Sequence, residues 1–173
     1  MKRLFILFVV LLPAIVAPAA TAQKARPLEI YFVDVEGGAA TLIVTPAGES
    51  LLVDTGWPRD DARDAKRIQA AAQQAGVQRI DHLITTHYHT DHWGGVAGLS
   101  KLLPIAKFYD HGRMSELAED KQSFPHLNEA YSQASGNASQ NLRPGDRIAL
   151  KRAPGSAPIS LQVLAASGEV IQR

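Results

Sequence analysis

His87, His89, Asp91 and His92 fill four of the six positions in the run His87-Tyr88-His89-Thr90-Asp91-His92. Neutral imidazole is the commonest side-chain ligand for Zn²⁺, and a carboxylate completes a donor set that such borderline ions accept. The chain contains no cysteine, so a metal here is held by histidine and carboxylate, and neither a disulfide nor a thiol nucleophile is available. If the backbone stays extended through the run, alternation places His87, His89 and Asp91 on one side. His92 then points elsewhere, as a second metal position nearby would require. Two such ions roughly 3.5–4 Å apart hold a bridging hydroxide against an attacked carbonyl or phosphoryl group. A solvated loop that happens to hold three histidines is the competing reading. The complete string, following an apolar strand and preceding Gly94-Gly95, is far more specific than an isolated His-x-His.

The elements that must position this run alternate in type. Leu28 to Val35, Ala40 to Thr45 and Ser50 to Asp54 read as three short strands, rich in β-branched and apolar residues and separated by Gly37-Gly38 and Pro46-Ala47-Gly48-Glu49. Their close succession predicts an antiparallel start to a sheet. Arg59 to Ala75 carries Ala62, Ala65, Ile68, Ala72 and Ala75 at helical spacing, with Gly76 placed to end the helix. Ile80 to Thr86 is a strand that delivers the chain into the histidine run. A short helix over Val96 to Leu103 stops at Pro104, and Ile105 to Tyr109 is a fifth strand. Residues 112–141 are polar and turn-rich, with a weak helical period around 116–122. Arg147 to Leu150 and Ile159 to Leu164 read as two further strands. The organisation is one mixed α/β domain.

The residues before it read differently. Lys2 and Arg3, the apolar run Leu4 to Leu12 and the small residues Ala20-Thr21-Ala22 have the layout of a signal peptide over 1–22, with the globular domain over 23–173. Pro13 and Pro18 interrupt any span of ~20 apolar residues, which argues against a membrane anchor. The expected location is therefore secreted or periplasmic, with no membrane attachment after cleavage. The full chain has 18 basic and 17 acidic residues, and loss of Lys2 and Arg3 leaves 16 against 17, a charge of −1. That balance supplies little of the phosphate neutralisation that nucleic-acid binding needs.

His87-x-His89-x-Asp91-His92 followed by Trp93-Gly94-Gly95, together with Leu52-Val53-Asp54-Thr55-Gly56 upstream, resembles the signature of the metallo-β-lactamase-fold hydrolases. The opening from Phe32 to Gly56 is similar to the branch that includes the competence-protein hydrolase domain. The resemblance implies an αβ/βα sandwich, a mixed sheet with flanking helices, binding one or two Zn²⁺ ions between two sheets. It implies that His87 and His89 serve the first ion, and that Asp91 and His92 serve the second. Asp91 also orients the attacking water or accepts its proton, and Asp54 supports the ligands without being one. The family pattern continues with a further histidine, a bridging acid and a last histidine. Here the downstream histidines are His111 and His126, and neither has the strand-end setting of the main motif. Both read as structural histidines, as does His82 inside its strand, and Trp57 and Trp93 read as packing residues. The chain is accordingly expected to form the first half of the sandwich. The implied activity is metal-dependent hydrolysis of an ester, amide or phosphodiester. The alternative is a metal-binding domain of weak or no turnover, and the substrate is not legible.

A half-sandwich leaves apolar positions such as Ile30, Phe32, Leu42, Val44 and Val53 without cover on both faces. The expected outcome is self-association, or pairing with a separately made second half, seen as species above monomer mass in sedimentation velocity of residues 23–173. A compact monomer holding two zinc ions and turning over ordinary substrates would contradict it.

Overall fold

The structure, a computed structural model, describes residues 26–112 and 120–172. The expected leader over 1–22, and most of the weak helical period at 116–122, lie outside these residues. Six strands form one sheet in the order β1 (Glu29–Phe32), β2 (Thr41–Val44), β3 (Ser50–Val53), β4 (His82–Ile84), β5 (Phe108–Asp110) and β6 (Gln140–Asn141). The first three are antiparallel, as their short connections require, and β3 to β6 run parallel. Each parallel step needs a crossover. These are supplied by α1 (Arg63–Gln74), by the short α2 (Thr90–Trp93) with α3 (Val96–Leu102), and by α4 (Phe124–Ser135). Two small antiparallel pairs follow, β7 (Arg147–Ile148) with β8 (Leu161–Gln162), and β9 (Ala165–Ala166) with β10 (Glu169–Val170). The result is a mixed sheet with flanking helices.

All three longer helices bury their apolar stripes in one core with one face of the sheet. Leu42, Val44, Leu52, Leu83 and Phe108 from the strands join Ala65, Ile68 and Ala72 of α1, Val96 and Leu99 of α3, and Leu127 and Tyr131 of α4. Leu42, Leu52, Ile68, Leu83 and Leu99 are fully buried, each a contribution of roughly 1.5–3 kcal/mol. On the opposite face, Leu51 and His82 are in register and both buried. His82 is indeed structural: Nε2 lies 3.1 Å from Glu49 Oε1, and Nδ1 lies 3.2 Å from the Tyr109 hydroxyl. The Lys151 backbone N–H donates to Glu49 Oε2 at 2.6 Å and ties the C-terminal segment over this face. Cover stops there. Ile30 and Phe32 on edge strand β1 are 52% and 85% exposed, while Leu42 and Val44 are sealed.

Three expectations about the elements need correction. The first helix begins at Arg63 and not at Arg59, because Ala62 adopts a left-handed φ of 54° and its N–H closes a turn onto Arg59. The Arg63 N–H is accepted by the Asp61 carboxylate, a local alternative to helix that Asp side chains favour. Expected strands Leu28 to Val35 and Ile80 to Thr86 shorten to four and three residues, since pairing ends where the loops diverge. Helix α4 lies inside the stretch 112–141 read as polar and turn-rich. Only Leu127 and Tyr131 of its residues are buried, an i, i+4 pair too sparse to stand out as a stripe. Gly76 does end α1, at φ 70°, with its N–H on the Gln73 carbonyl and the Val77 N–H on Ala72.

Tyr131 is buried, and its hydroxyl donates to Asp110 Oδ2 at 3.2 Å. Burial, and then the Asp110 charge, hold its ionisation well above the ordinary tyrosine value. Between pH 10 and that raised value the unfolded chain has released a proton that the folded one retains, so stability present below pH 10 is lost as pH rises. The expected slope from this group is about −1.4 kcal/mol per pH unit above pH 10. Urea denaturation at pH 9, 10 and 11 should show a shallower decline for Tyr131→Phe than for the parent; equal slopes would exclude Tyr131 as the source.

Candidate metal centre

The histidine run is held by backbone contacts from three loops. Directly after β3, Asp54 takes a left-handed φ of 61°, and its N–H donates to the Ile84 carbonyl at 2.9 Å. The Thr55 N–H donates to the His92 carbonyl at 2.6 Å, and the Gly95 N–H to the Gly56 carbonyl at 2.9 Å. From the β1–β2 loop, the Ala39 N–H donates to the Asp91 carbonyl. These approaches leave no room for side chains. A Cβ on Gly95 would lie 2.0 Å from the Thr55 carbonyl oxygen, and one on Gly38 would lie 2.4 Å from that of Asp91. Tyr88 anchors the run from within, buried against Trp93 with its hydroxyl donating to the Gly112 carbonyl at 2.7 Å.

Between its anchors the run is not extended throughout. His89 is extended, but Thr90 to Trp93 form the single turn of α2, with the His92 N–H on the His89 carbonyl. Asp120 Oδ2 accepts the Thr90 N–H at 2.8 Å, satisfying a donor that the first turn would otherwise leave bare. The turn changes the expected arrangement. His92 does not point away: its ring centroid lies 3.9 Å from that of His87, and His87 lies 4.7 Å from His89. Asp91 comes off the helical turn, and its Oδ2 lies 3.8 Å from His92 Nε2.

Beneath the rings lies Asp54, which is 2% exposed. Its Oδ1 accepts the Thr86 N–H at 2.8 Å, and its Oδ2 accepts the Thr86 hydroxyl at 2.7 Å. His92 Nδ1 is 2.8 Å from the same Oδ2, so a proton on Nδ1 leaves the Nε2 lone pair facing outward. The Thr86 hydroxyl has one hydrogen, and that hydrogen is on Asp54. Toward His87 Nδ1, 3.0 Å away, it is therefore an acceptor, and His87 too carries its proton on Nδ1 and presents Nε2. Desolvation and then the neighbouring His92 and His89 charges lower the His87 pKa, against the pull of Asp54 and Asp91, which favours the neutral imidazole that binds metal. Asp54 supports ligands in this geometry. Thr86 is the residue that sequence reasoning missed; its only signal was a hydroxyl at the strand end just before the first histidine.

The other candidates separate. The His111 ring packs on Tyr88, and its carbonyl accepts the Ser167 hydroxyl at 2.7 Å. His126 lies in the first turn of α4 and lines a different cleft, beside Ser100 and Lys101 of α3. Trp93 is buried in the core, and Trp57 is half-buried with its indole N–H on the Glu36 carbonyl. Among the described residues no three His, Asp or Glu side chains gather about one point as a finished metal shell. The donor chemistry of the run, two preset imidazoles with a third ring and a carboxylate beside them, nonetheless fits a divalent ion of the zinc class.

The sequence model of the metallo-beta-lactamase superfamily matches residues 33–170. The chain belongs to that superfamily. It is 26% identical over 164 residues to a UPF0173 metal-dependent hydrolase of Cupriavidus necator, across 89% of this chain and 54% of that one. It is 34% identical over 91 residues to an atrochrysone carboxyl ACP thioesterase of Cryptosporiopsis sp., across 50% of this chain and 27% of that one. The chain thus spans about half the length, or less, of these curated superfamily relatives. A solved Cronobacter sakazakii metallo-beta-lactamase, a HARLDQ motif mutant, aligns with a TM-score of 0.47 at 18% identity, over 70% of this chain and 46% of that one.

Thr86 generates a test within this superfamily member. Removing a group that orients a ligand typically costs 10–100-fold in metal affinity. Thr86→Val, which keeps the shape and loses the hydroxyl, is expected to weaken Zn²⁺ binding by about that factor, and Thr86→Ser to restore most of it. Competition titration against a chromophoric chelator reads both. Equal affinity for Val and Ser variants would remove Thr86 from the network.

Proposed function

We propose that this chain is a hydrolase whose histidine run holds Zn²⁺, with His87 and His89 as principal ligands of a first ion and Asp91 and His92 available to a second. The observation that carries the reading is the buried Asp54 carboxylate, which orients His92 directly and His87 through Thr86, leaving Nε2 of each free for a metal. Superfamily membership and similarity to a named metal-dependent hydrolase support the reaction class. The ion, when bound, supplies Lewis acidity and lowers the pKa of water toward neutrality. The chain's own residues do the rest. Asp54 and Thr86 fix the His87 and His92 rings, and Tyr88 and Trp93 pack against each other in the core and anchor the run. The partly exposed Asp91 carboxylate is available to take a proton from the attacking water. The leader-like residues 1–22 support export, so we place this chemistry in a secreted or periplasmic setting.

A second reading, a metal-binding domain with little turnover, is favoured by the unfinished shell among the described residues. One experiment separates the two. Protein reconstituted with Zn²⁺ is expected to hold at least one ion by elemental analysis and to hydrolyse at least one of an ester, thioester, lactone, β-lactam or phosphodiester panel. The double variant His87→Ala/His89→Ala should lose the first ion and the activity. Metal bound without turnover supports the second reading, and identical metal content in parent and variant would make the ligand assignment wrong.

A further inference from the structure

A cleft of about 370 Å³ opens beside the histidine run, and His87 and Thr86 form part of its lining. The rest of its wall is mainly apolar: Ile84 at the end of β4, Leu142 after β6, Leu161 and Val163 from the β8 segment, and Ala165 and Ala166 of β9. This composition, apolar with a few convergent polar groups, is that of a small-molecule site. The volume corresponds to about a dozen waters at ~30 Å³ each.

Charge decides what could enter. No lysine or arginine lines the cleft; besides His87 its ionisable groups are the His111 imidazole, packed on Tyr88, and one carboxylate, Asp110, which is buried. That carboxylate is already engaged by the Gly112 N–H at 3.0 Å and the Tyr131 hydroxyl at 3.2 Å. A phosphodiester anion in this space would meet no lysine or arginine from the cleft wall, only the imidazoles of His87 and His111 beside the Asp110 carboxylate. A neutral acyl chain would replace water along Leu161, Val163 and Ala166, with its carbonyl end toward His87.

The geometry points to an acyl pocket: the substrate is a carboxylic ester or thioester whose uncharged, apolar acyl group fills this cleft. The inference rests on the hydrolase reading above and narrows it to one substrate class. Hydrolysis there adds one water across the acyl bond, its hydroxyl going to the carbonyl carbon and its remaining hydrogen to the departing alcohol or thiol.

The test uses binding and turnover together on the whole chain. The neutral ketones 2-butanone, 2-hexanone and 2-octanone mimic an acyl group of growing length and need no chemistry to bind. Affinity measured by ligand-observed NMR is expected to rise roughly fourfold per methylene. Ala166→Phe and, independently, Ala165→Leu should flatten that series, with circular dichroism confirming that each remains folded. In the zinc-loaded protein, kcat/KM for p-nitrophenyl acetate, butyrate and hexanoate should climb in parallel. A length-independent ketone series, an unchanged gradient in both variants, or dimethyl phosphate binding as tightly as 2-octanone would overturn the pocket. Ester turnover with no chain-length gradient would defeat the pocket and leave the hydrolase reading standing. A ketone gradient without turnover of any ester or thioester would keep the pocket's apolar preference but overturn its assignment to an acyl substrate, and turnover of another member of the panel would then leave the hydrolase reading standing.

Discussion

Asp54 is the point on which the site depends. A carboxylate this deeply buried is tolerated only when its oxygens are satisfied, and here the donors are the Thr86 amide, the Thr86 hydroxyl and His92 Nδ1. Each donor belongs to the segment that follows β4, whereas Asp54 directly follows β3. The parallel pairing of β3 with β4 therefore brings acceptor and donors together, and the need to satisfy the carboxylate in turn fixes the orientation of the rings. Stability and ligand geometry are enforced by the same three hydrogen bonds. Truncating the carboxylate would leave the Thr86 amide without its acceptor and free the tautomers of His87 and His92 at once.

A second buried carboxylate performs a comparable task in the first turn of α1. Asp64, fully buried in α1, accepts the Trp57 N–H at 2.8 Å and pairs with Arg63 Nε at 2.6 Å. Arg63 continues to the Val35 carbonyl and to Glu36 in the β1–β2 loop. The loop after Asp54 and the loop carrying Gly38 are thus both fastened to the start of α1. Together the two acids turn three separate strand connections into one rigid rim.

Much of this was legible in the sequence, and the reasons differ by residue. The strands announced themselves through apolar composition and glycine punctuation, and the antiparallel opening through the shortness of its loops. His87, His89, Asp91 and His92 were visible because four donors in six residues after a strand seldom arise otherwise. Their mutual geometry was not visible, because a period-two argument assumes extended backbone, and a tertiary contact from Asp120 supports a helical turn beginning at Thr90. Thr86 was hidden for another reason. A lone hydroxyl carries no pattern, and its role appears only once Asp54, thirty-two positions away in sequence, is brought beside it. Helix α4 escaped notice since its buried side is two residues wide.

The close approaches at Gly38 and Gly95 divide the surroundings of the histidines into two unlike walls. On one side, main chain lies against main chain at distances that no side chain could enter, so that wall can neither be resized nor re-chemicalised by exchanging residues. On the other side stand Leu161, Val163, Ala165 and Ala166, presented by short strands outside the six-stranded sheet. Substitutions there reshape the space without disturbing any atom that orients an imidazole. The architecture thereby separates the wall of the neighbouring cleft from the backbone contacts and the Asp54–Thr86 hydrogen bonds that hold the histidines, so that the first is free to drift while the second stays in place.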